Sequence, residues 1–239
     1  MENLLEIRGL KKKFLLHILN DKKIDALEDI SFTMAKGEII GLTGKSGSGK
    51  SSLMKCLYGT YLINEGEILY HSGFYGEIDL AKASEHEILA IRRNEMTYCS
   101  QFLQVIPRVP AVEIVAEQLI KENVDRDEAL EKARSFLEEL GLPQELWDAY
   151  PSTFSGGEQQ RINVAQAIIS TPRFLLIDEP TASLDQKTKD VVIGKILDLK
   201  RRGTSIILIT HDEYTLSNLA DRELKLKSGR IEEVEVATA

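Results

Sequence analysis

The amino-acid sequence predicts an α/β fold built around a parallel β-sheet. Two continuous apolar segments, 174–177 and 206–209, have the length of strands buried on both faces, and a helical pattern at 187–202 separates them. A third apolar strand, at 38–43, runs into a glycine-rich turn and then into a helix. Buried strands that alternate with helices are typical of parallel sheets, because each connection must cross back over the sheet.

Length and charge limit the class of protein. The chain has 239 residues, of which 43% are hydrophobic, so it can fill a sizeable core. It carries 38 acidic and 30 basic side chains, a net charge of −8. This acidity argues against a general binder of nucleic acid or of anionic membranes, since both need a basic face. We infer one domain with subdomains and expect no direct contact with nucleic acid.

Cysteine content and hydropathy indicate the cellular compartment in which the chain is expected. Cys56 and Cys99 are too few for a disulfide framework and lack metal-ligand spacing, which indicates a reducing, cytoplasmic environment. No apolar run approaches the roughly 18 residues that a spanning helix needs, and the first residues lack the apolar block of a signal peptide. We therefore expect a cytoplasmic chain that inserts into no membrane, so that any membrane role needs a partner chain.

The chain from residue 4 to residue 93 is predicted to form short strands and two helices. Alternating apolar residues and turn residues indicate the strands, and apolar residues at helical spacing indicate the helices. In chain order we expect two or three opening strands, a strand before the glycine-rich turn, a helix after it, a hairpin and a second helix: 4–14 and 30–34, 38–43, 51–58, 67–71 with 76–80, and 84–93.

The second half of the chain is predicted to be mainly helical before the buried strands begin. Asp125 is a candidate N-cap for a helix that ends at Gly141. The remaining elements follow the same rules: a helix at 155–170, the strand 174–177, a helix at 187–202, the strand 206–209 and a closing pair of short strands within 224–236.

A phosphate-binding loop is predicted at residues 44–51, which fit the pattern of glycine, four residues, glycine, lysine and serine. The glycines let successive backbone N–H groups turn toward a phosphate, and the following helix adds the positive end of its dipole. Lys50 is then placed to reach the β- and γ-phosphates, and Ser51 to bind Mg²⁺. The loop lies between a predicted strand and a predicted helix, which is the context that this motif requires.

Two adjacent carboxylates follow the buried strand 174–177. Asp178 suits Mg²⁺, and Glu179 could orient and deprotonate an attacking water. Ligands of open α/β sheets bind at this carboxyl edge. The alternative is that both residues only enrich a helix start in acidic groups.

Residues 155–159, with the sequence SGGEQ, open a predicted helix. Ser155 and Glu158 can form a capping box, which explains both residues structurally. Gly156 and Gly157 weaken the helix but leave its first N–H groups open to a phosphate. The structural and the functional readings are compatible here.

Together these motifs make the chain similar to the ATP-binding cassette (ABC) ATPases over nearly its whole length. Further matches fall in the order of the family: the Walker A motif at 44–51, the Q-loop at Gln101, the signature motif at 155–159, the Walker B motif at 175–179, the D-loop at 183–185 and the H-loop at His211. Taken singly, Gln101 would be read as a surface amide and His211 as a core histidine.

The resemblance implies a MgATP hydrolase whose fold is a P-loop NTPase, with a RecA-like core, an antiparallel β subdomain and an α-helical signature subdomain. It implies one cassette domain at 3–236, with the core at about 3–100 and 165–236 and the helical subdomain at about 102–164.

The resemblance also assigns roles to residues. The implied catalytic residues are Glu179, His211 and Gln101, and the implied metal ligands are Ser51, Gln101 and Asp178. The implied ATP-binding residues are Phe14, Gly44, Lys45, Ser46, Gly47, Ser48, Gly49, Lys50, Ser51 and Ser52. Phe14 is the expected adenine-stacking aromatic, although a core phenylalanine is nearly as good a reading.

Members of this family pair head to tail. The resemblance therefore implies that a second cassette, identical or a sister subunit, completes the site. The residues implied to act on the partner's nucleotide are Ser155, Gly156, Gly157, Glu158 and Asp185. ATP held between a phosphate loop and a foreign helix start would favour a closed dimer over an open one.

Local sequences outside the general motifs suggest a subtype. Segments 14–17, 57–62, 100–108 and 151–154 resemble a cassette subunit of the bacterial carbon-phosphorus lyase system. That resemblance implies an ATPase that works on the lyase core complex in phosphonate utilisation. Two alternatives remain open: the motor subunit of an ABC membrane transporter, which is the commonest role of cassettes of this size, and an ATP-gated scaffold that barely hydrolyses ATP.

Overall fold

A single sheet of ten strands runs through the part of the chain that the structure describes. The computed structural model describes residues 2–16, 22–104 and 107–234. The order of strands across the sheet is β5-β4-β1-β2-β10-β9-β3-β8-β7-β6. The strands are β1 (Asn3–Leu16), β2 (Lys22–Ala35), β3 (Ile39–Thr43), β4 (Glu65–Ser72), β5 (Gly76–Asp79), β6 (Met96–Cys99), β7 (Phe174–Asp178), β8 (Ser205–Ile209), β9 (Arg222–Lys227) and β10 (Arg230–Val234).

Helices connect these strands and cover the sheet. Two short 3₁₀ helices, Gln144–Leu146 and Pro151–Thr153, lie between the fourth and fifth α-helices. In the part of the chain that the structure describes, none of the helices has the length and apolar character needed to cross a bilayer. The α-helices are α1 (Lys50–Leu57), α2 (Glu85–Asn94), α3 (Ala111–Lys121), α4 (Arg126–Glu139), α5 (Gly156–Ile168), α6 (Gln186–Arg201) and α7 (Glu213–Leu219).

Parallel pairing defines the centre of the sheet. β3 lies between β9 and β8, β7 lies between β8 and β6, and all four pairings are parallel. The carboxyl ends of β3, β8 and β7 therefore meet at one edge. The glycine-rich loop follows β3, Glu179 follows β7 and His211 comes shortly after β8, so three distant segments of the chain converge at this edge.

The other end of the sheet is antiparallel. β1 pairs antiparallel with both β2 and β4, and β4 pairs antiparallel with β5. β10 joins the two halves, because it pairs antiparallel with β9 and makes a parallel bridge to β2 between Arg230 and Asp29. The fold class predicted from the sequence, an α/β cassette with an antiparallel β part and a helical part, is therefore the one observed.

The core is divided between the two faces of the sheet. Leu175 and Ile177 of β7 pack in a cluster with α3, α4, α5 and α6, whereas Phe174 and Leu176 pack on the opposite face with α1 and the antiparallel strands. β7 and β8 are buried along their whole length. This explains their continuous apolar sequences, since a strand covered on both faces needs no polar alternation.

Both cysteines belong to this core. Cys56 and Cys99 are buried free thiols, and burial raises their pKa values to about 11 and about 12.

Three elements were not anticipated from the sequence: β6, α3 and α7. β6 has only four residues, and α3 contains β-branched residues at Val112, Ile114 and Val115 that blur its helical period. β2 begins eight residues before the predicted start, at Lys22 in place of position 30. The other predicted elements are present within a few residues of the expected bounds. Positions 17, 105 and 106 of the subtype segments and positions 235–236 of the expected last strand lie outside the described residues.

A buried carboxylate organises the turn between β4 and β5. Glu95 is 3% exposed and accepts hydrogen bonds from Tyr70 Oη (2.8 Å) and Ser72 Oγ (2.7 Å). The main-chain N–H of Gly73 also donates to it, at 3.0 Å, and Arg173 Nε lies 3.9 Å away. The turn therefore depends on one acidic side chain contributed by the segment before β6.

Replacing Glu95 tests this dependence. Glu95→Leu leaves the buried donors of the turn without an acceptor, and we expect the free energy of unfolding to fall by about 2–4 kcal/mol. Urea unfolding followed by circular dichroism measures the change. Glu77→Gln in the same hairpin is the control, since this side chain is 62% exposed; it should change stability by less than about 0.5 kcal/mol. Equal losses in the two variants would contradict the assignment.

Candidate functional site

A cavity of about 400 Å³ opens at the carboxyl edge of the parallel strands. Most of the residues predicted to bind or hydrolyse ATP line it: Phe14, Ser46, Gly47, Gly49, Lys50, Ser51, Ser52, Gln101, Asp178, Glu179 and His211. Gly44, Lys45 and Ser48 belong to the same loop but do not line this cavity. The fold thus brings together side chains from the β1 end, the glycine-rich loop, the segment after β6 and the ends of β7 and β8.

The loop at 44–51 needs glycine at two positions for steric reasons. Gly44 has φ 140° and Gly49 has φ 108°, which is backbone that other residues rarely adopt. A Cβ on Gly44 would lie 2.2 Å from the carbonyl oxygen of Leu226, and one on Gly49 would lie 2.5 Å from that of Ala26. The glycines therefore allow the loop to pack directly on β9 and β2 while it faces the cavity.

Lys50 starts α1 and folds back over the loop. Its Nζ donates to the carbonyl oxygens of Gly44 (2.7 Å) and Lys45 (3.2 Å). Burial lowers the pKa of Lys50, and the nearby carboxylates of Asp178 and Glu179 act against that shift. The ammonium group is thus held above the concave side of the loop, where a bound phosphate would meet it.

Ser51 and Asp178 form a pair of oxygen ligands beside the loop. Ser51 Oγ donates to Asp178 Oδ2 at 3.1 Å. Burial raises the pKa of Asp178, while the Ser51 hydrogen bond and the charge of Lys50 lower it. Hydroxyl and carboxylate oxygens are the ligands that Mg²⁺ takes, so the pair fits the predicted metal site. A bound Mg²⁺ would neutralise phosphate charge at this point.

Glu179 has a strained backbone and an incompletely satisfied carboxylate. Its φ is +54°, which is unusual for a residue other than glycine. Its Oε1 is buried and has no hydrogen-bond partner among the residues described, although His211 Nε2 lies 3.7 Å away. Burial raises the pKa of Glu179, and His211 acts against this. A carboxylate aimed into the cavity with a raised pKa has the properties of a general base.

Gln101 and Phe14 lie on the cavity wall. Gln101 is exposed and follows β6 directly. Phe14 is half-buried near the end of β1, and its ring meets the ring of Tyr61 edge-on at 5.2 Å between centroids. Its place on the cavity wall favours the stacking role over that of a core residue. Both roles stay predictions.

The signature residues lie elsewhere in the chain's own structure. Ser155, Gly156, Gly157 and Glu158 do not line the cavity, and neither does Asp185. The predicted capping box is present, because Ser155 N donates to Glu158 Oε2 at 2.7 Å and Glu158 N donates to Ser155 Oγ at 3.4 Å. Ser155 and Gly156 are exposed at the start of α5, so their main-chain groups are open to another molecule.

Asp185 caps α6 and contacts the signature helix. It accepts hydrogen bonds from Thr188 N (3.0 Å) and Thr188 Oγ1 (2.8 Å). Arg161 of α5 lies 3.2 Å from its Oδ2. The D-loop and the signature helix therefore pack together within one chain. The action of Asp185 on a partner chain's nucleotide stays a prediction.

Some residues of the site were not found from the sequence. Ile24, Asp25 and Ala26 of β2 line the cavity opposite the loop, because the antiparallel register pairs Ile24 with Phe14. Gln160 of α5 was also missed, and its Nε2 donates to the carbonyl oxygen of Glu179 at 2.8 Å. Strand register and packing between elements decide both cases, and neither leaves a local signal in the sequence.

Sequence comparisons agree with this geometry. The family described as "ABC transporter" matches residues 27–182. The chain is 36% identical to the methionine import ATP-binding protein MetN of Rhizobium johnstonii over 209 residues, which are 87% of this chain and 56% of that protein. It is 33% identical to the lipoprotein-releasing system ATP-binding protein LolD of Geobacter metallireducens over 232 residues, covering 97% of this chain and 99% of that one.

Solved structures share the fold over nearly the whole chain. The dimeric bacterial ABC transporter cassette MJ0796 aligns with a TM-score of 0.85 at 26% identity, covering 96% of this chain and 97% of the other. A dimeric post-hydrolysis state of the same cassette, bound to ADP and phosphate, aligns with a TM-score of 0.84. The described fold, the residues gathered in the cavity and these relatives lead to one assignment: the chain belongs to the ABC transporter family and is an ABC-type ATPase.

Proposed function

We propose that this chain is the nucleotide-binding subunit of an ABC membrane transporter and hydrolyses MgATP at a site shared by two cassettes. One observation carries the proposal: the cavity gathers the phosphate loop, Asp178, Glu179 and His211, while the signature lies outside it at an exposed helix start. The relatives named above are import and lipoprotein-release proteins, and they support the choice of a transporter.

The phosphate loop is proposed to hold the triphosphate. Residues of the loop and of the start of α1 line the cavity, and Lys50 supplies a positive charge there. Phe14 on the opposite wall is proposed to stack on the adenine. Ser51, Asp178 and Gln101 are proposed to hold Mg²⁺.

Glu179 is proposed to take the proton of the attacking water. Glu179 lines the cavity, and its Oε1 has no hydrogen-bond partner among the described side chains, so the carboxylate has an unused acceptor for a water beside the terminal phosphate. His211 Nε2, 3.7 Å from that oxygen, is proposed to orient the carboxylate and to stabilise charge on the phosphate. Water attacks phosphorus as the bond to the leaving ADP oxygen breaks, and the water proton passes to Glu179.

A second cassette is proposed to supply the signature residues. Ser155 and Gly156 of one chain are exposed and do not line that chain's own cavity, whereas MJ0796 forms a dimer. A partner's α5 start above the loop would add N–H groups to the terminal phosphate. ATP then stabilises the closed pair, and hydrolysis releases it.

A groove beside α2 is proposed to receive the membrane-spanning subunit. It has a volume of about 420 Å³ and is lined mainly by apolar side chains from the end of α1 to α2. Leu62 and Leu89 line it and are 77% and 59% exposed. An apolar groove of this size suits the apolar face of a short helix, so the partner is proposed to dock a cytoplasmic helix there.

A role as an ATPase subunit of the carbon-phosphorus lyase system is the second candidate function. It rests on the resemblance of segments 57–62 and 100–108 to a cassette subunit of the carbon-phosphorus lyase. The whole-chain relatives reported above favour transport instead. Both candidate functions place the chain on the cytoplasmic side of the membrane. They differ in the partner: membrane-spanning subunits for the transporter and core proteins for the lyase.

The Glu179→Gln substitution tests the shared site. It removes the base but keeps the shape of the side chain, and we expect the hydrolysis rate to fall by about 10²–10⁴ while ATP remains bound. Light scattering should then show a dimer on adding MgATP. Lys50→Ala is the control, since it should lose ATP binding and stay monomeric. A Glu179→Gln protein that neither retains ATP nor gains mass would overturn the mechanism.

The pH dependence of hydrolysis is a second test. Burial raises the pKa values of Glu179 and Asp178, and both groups act as carboxylates in the proposed mechanism. The turnover rate at saturating MgATP should therefore rise with pH, over a range above the ordinary glutamate pKa of 4.5. Glu213→Gln, at an exposed position in α7, should keep the same profile. A rate that is flat or falling across that range would count against a base in this position.

Substituting Leu89 tests the groove. Leu89→Asp should reduce co-purification of the membrane-spanning subunits at least about tenfold, because a carboxylate in an apolar contact costs more than about 1.4 kcal/mol. ATP binding should be unchanged. Phe74→Asp, at another exposed apolar residue, is the control. Recovery of lyase core proteins with the wild type, in place of membrane-spanning subunits, would support the second candidate.

A further inference from the structure

We propose that Gln160 is a positioning residue for Glu179 and makes the alignment of the catalytic base depend on the helix that carries the signature. This inference rests on the proposed function, since it assigns Glu179 the role of base. Gln160 lies on α5 and does not line the cavity. It therefore acts only through Glu179.

The contact between the two residues is a single, partly buried hydrogen bond. Gln160 Nε2 donates to the main-chain carbonyl oxygen of Glu179 at 2.8 Å. Gln160 is 7% exposed, so water does not readily replace it at that oxygen. The same oxygen also accepts a longer hydrogen bond, at 3.3 Å, from the main-chain N–H of Ala182 in the turn that follows Glu179. The Gln160 bond is therefore the shorter of the two and the one that another helix supplies.

This hydrogen bond stabilises the backbone of Glu179, whose conformation is unfavourable by itself. Glu179 has φ +54°, and such backbone persists only where the surroundings maintain it. Its N–H donates to the carbonyl oxygen of Ile209 at 2.9 Å, which anchors one side to β8. The Gln160 bond anchors the other side, and the following residue, Pro180, has no N–H to offer.

The side chain of Glu179 has few constraints of its own. Oε1 has no hydrogen-bond partner in the described part of the chain, and Oε2 accepts only a long bond from His211 N at 3.4 Å. The direction of the carboxylate therefore depends on the position of the Glu179 main chain as well as on His211. A shift of that main chain relative to β8 would move the carboxylate away from its place in the cavity.

The location of Gln160 on α5 adds the link to the signature. Ser155 caps α5, and Gln160 comes five positions later on the same helix, which is about 7.5 Å along the axis. α5 also packs on the segment after Glu179, because a Cβ on Gly157 would lie 3.5 Å from the carbonyl oxygen of Ser183. A displacement of α5 when its start binds the partner's nucleotide would thus reach Glu179 through one hydrogen bond.

Two substitutions test the role. Gln160→Met keeps the volume but removes the donor, and Gln160→Glu places an acceptor against the Glu179 carbonyl. We expect the turnover rate per ATP-binding site to fall about tenfold for Gln160→Met and further for Gln160→Glu. The ATP dissociation constant should stay within about twofold of the wild type. The turnover rate is expressed per titrated ATP-binding site, so that a loss of folded protein does not lower it.

Gln118→Met on α3 is the matched control, since it makes the same chemical change on a helix that does not contact Glu179. It should keep the wild-type rate. The decisive comparison is with the double variant Gln160→Met and Glu179→Gln. If Gln160 acts through Glu179, the double variant should be no slower than Glu179→Gln alone.

These measurements distinguish a failure of the positioning role of Gln160 from a failure of the proposed function. A wild-type rate in Gln160→Met, a parallel loss of rate and ATP affinity, or an additive loss in the double variant would each overturn the role of Gln160 while the function stands. If Glu179→Gln itself hydrolyses ATP at the wild-type rate, the assignment of the base fails, and the positioning role fails with it.

Discussion

The parallel pairing of β3, β8 and β7 is the constraint on which the rest of the structure depends. These strands are buried among apolar residues from both layers and share their main-chain hydrogen bonds, so none can shift without exposing polar backbone to the core. Because they run in the same direction, the segments that follow them open at one edge. The phosphate loop, Glu179 and His211, which are far apart in the chain, share a cavity for this reason.

That rigid edge supports local strain at the residue proposed to be the base. Glu179 has left-handed backbone and a buried oxygen with no hydrogen-bond partner among the residues described. Each feature costs free energy, and both are typical of sites that are arranged before substrate binds. β8 and α5 maintain the arrangement through hydrogen bonds to the two sides of the Glu179 backbone. The strained backbone of Glu179 therefore lies between well-packed elements, and Ser183, four positions later, is also left-handed at φ +61°.

The surfaces proposed to act in transport lie in separate parts of the molecule. The cavity faces one edge of the sheet, the signature starts α5, and the apolar groove lies between α1 and α2. α5 packs on one face of the sheet and the groove residues pack on the other. On the proposed function, the sheet therefore connects a nucleotide between two chains with a membrane partner in the groove. Movements of α5 relative to the sheet would then affect both the nucleotide site and the partner.

The sequence by itself determined the α/β class, most element positions, the phosphate loop and the carboxylate pair after β7, because these depend on local periodicity and on the chemistry of neighbouring residues. Local resemblance was a weaker guide to subtype, since the whole-chain relatives favour a transporter. Only the tertiary structure decided that Ile24 faces the cavity beside Phe14 and that Gln160 reaches Glu179, 19 positions away. Strand register and packing between helices set these contacts, and both are properties of the whole fold.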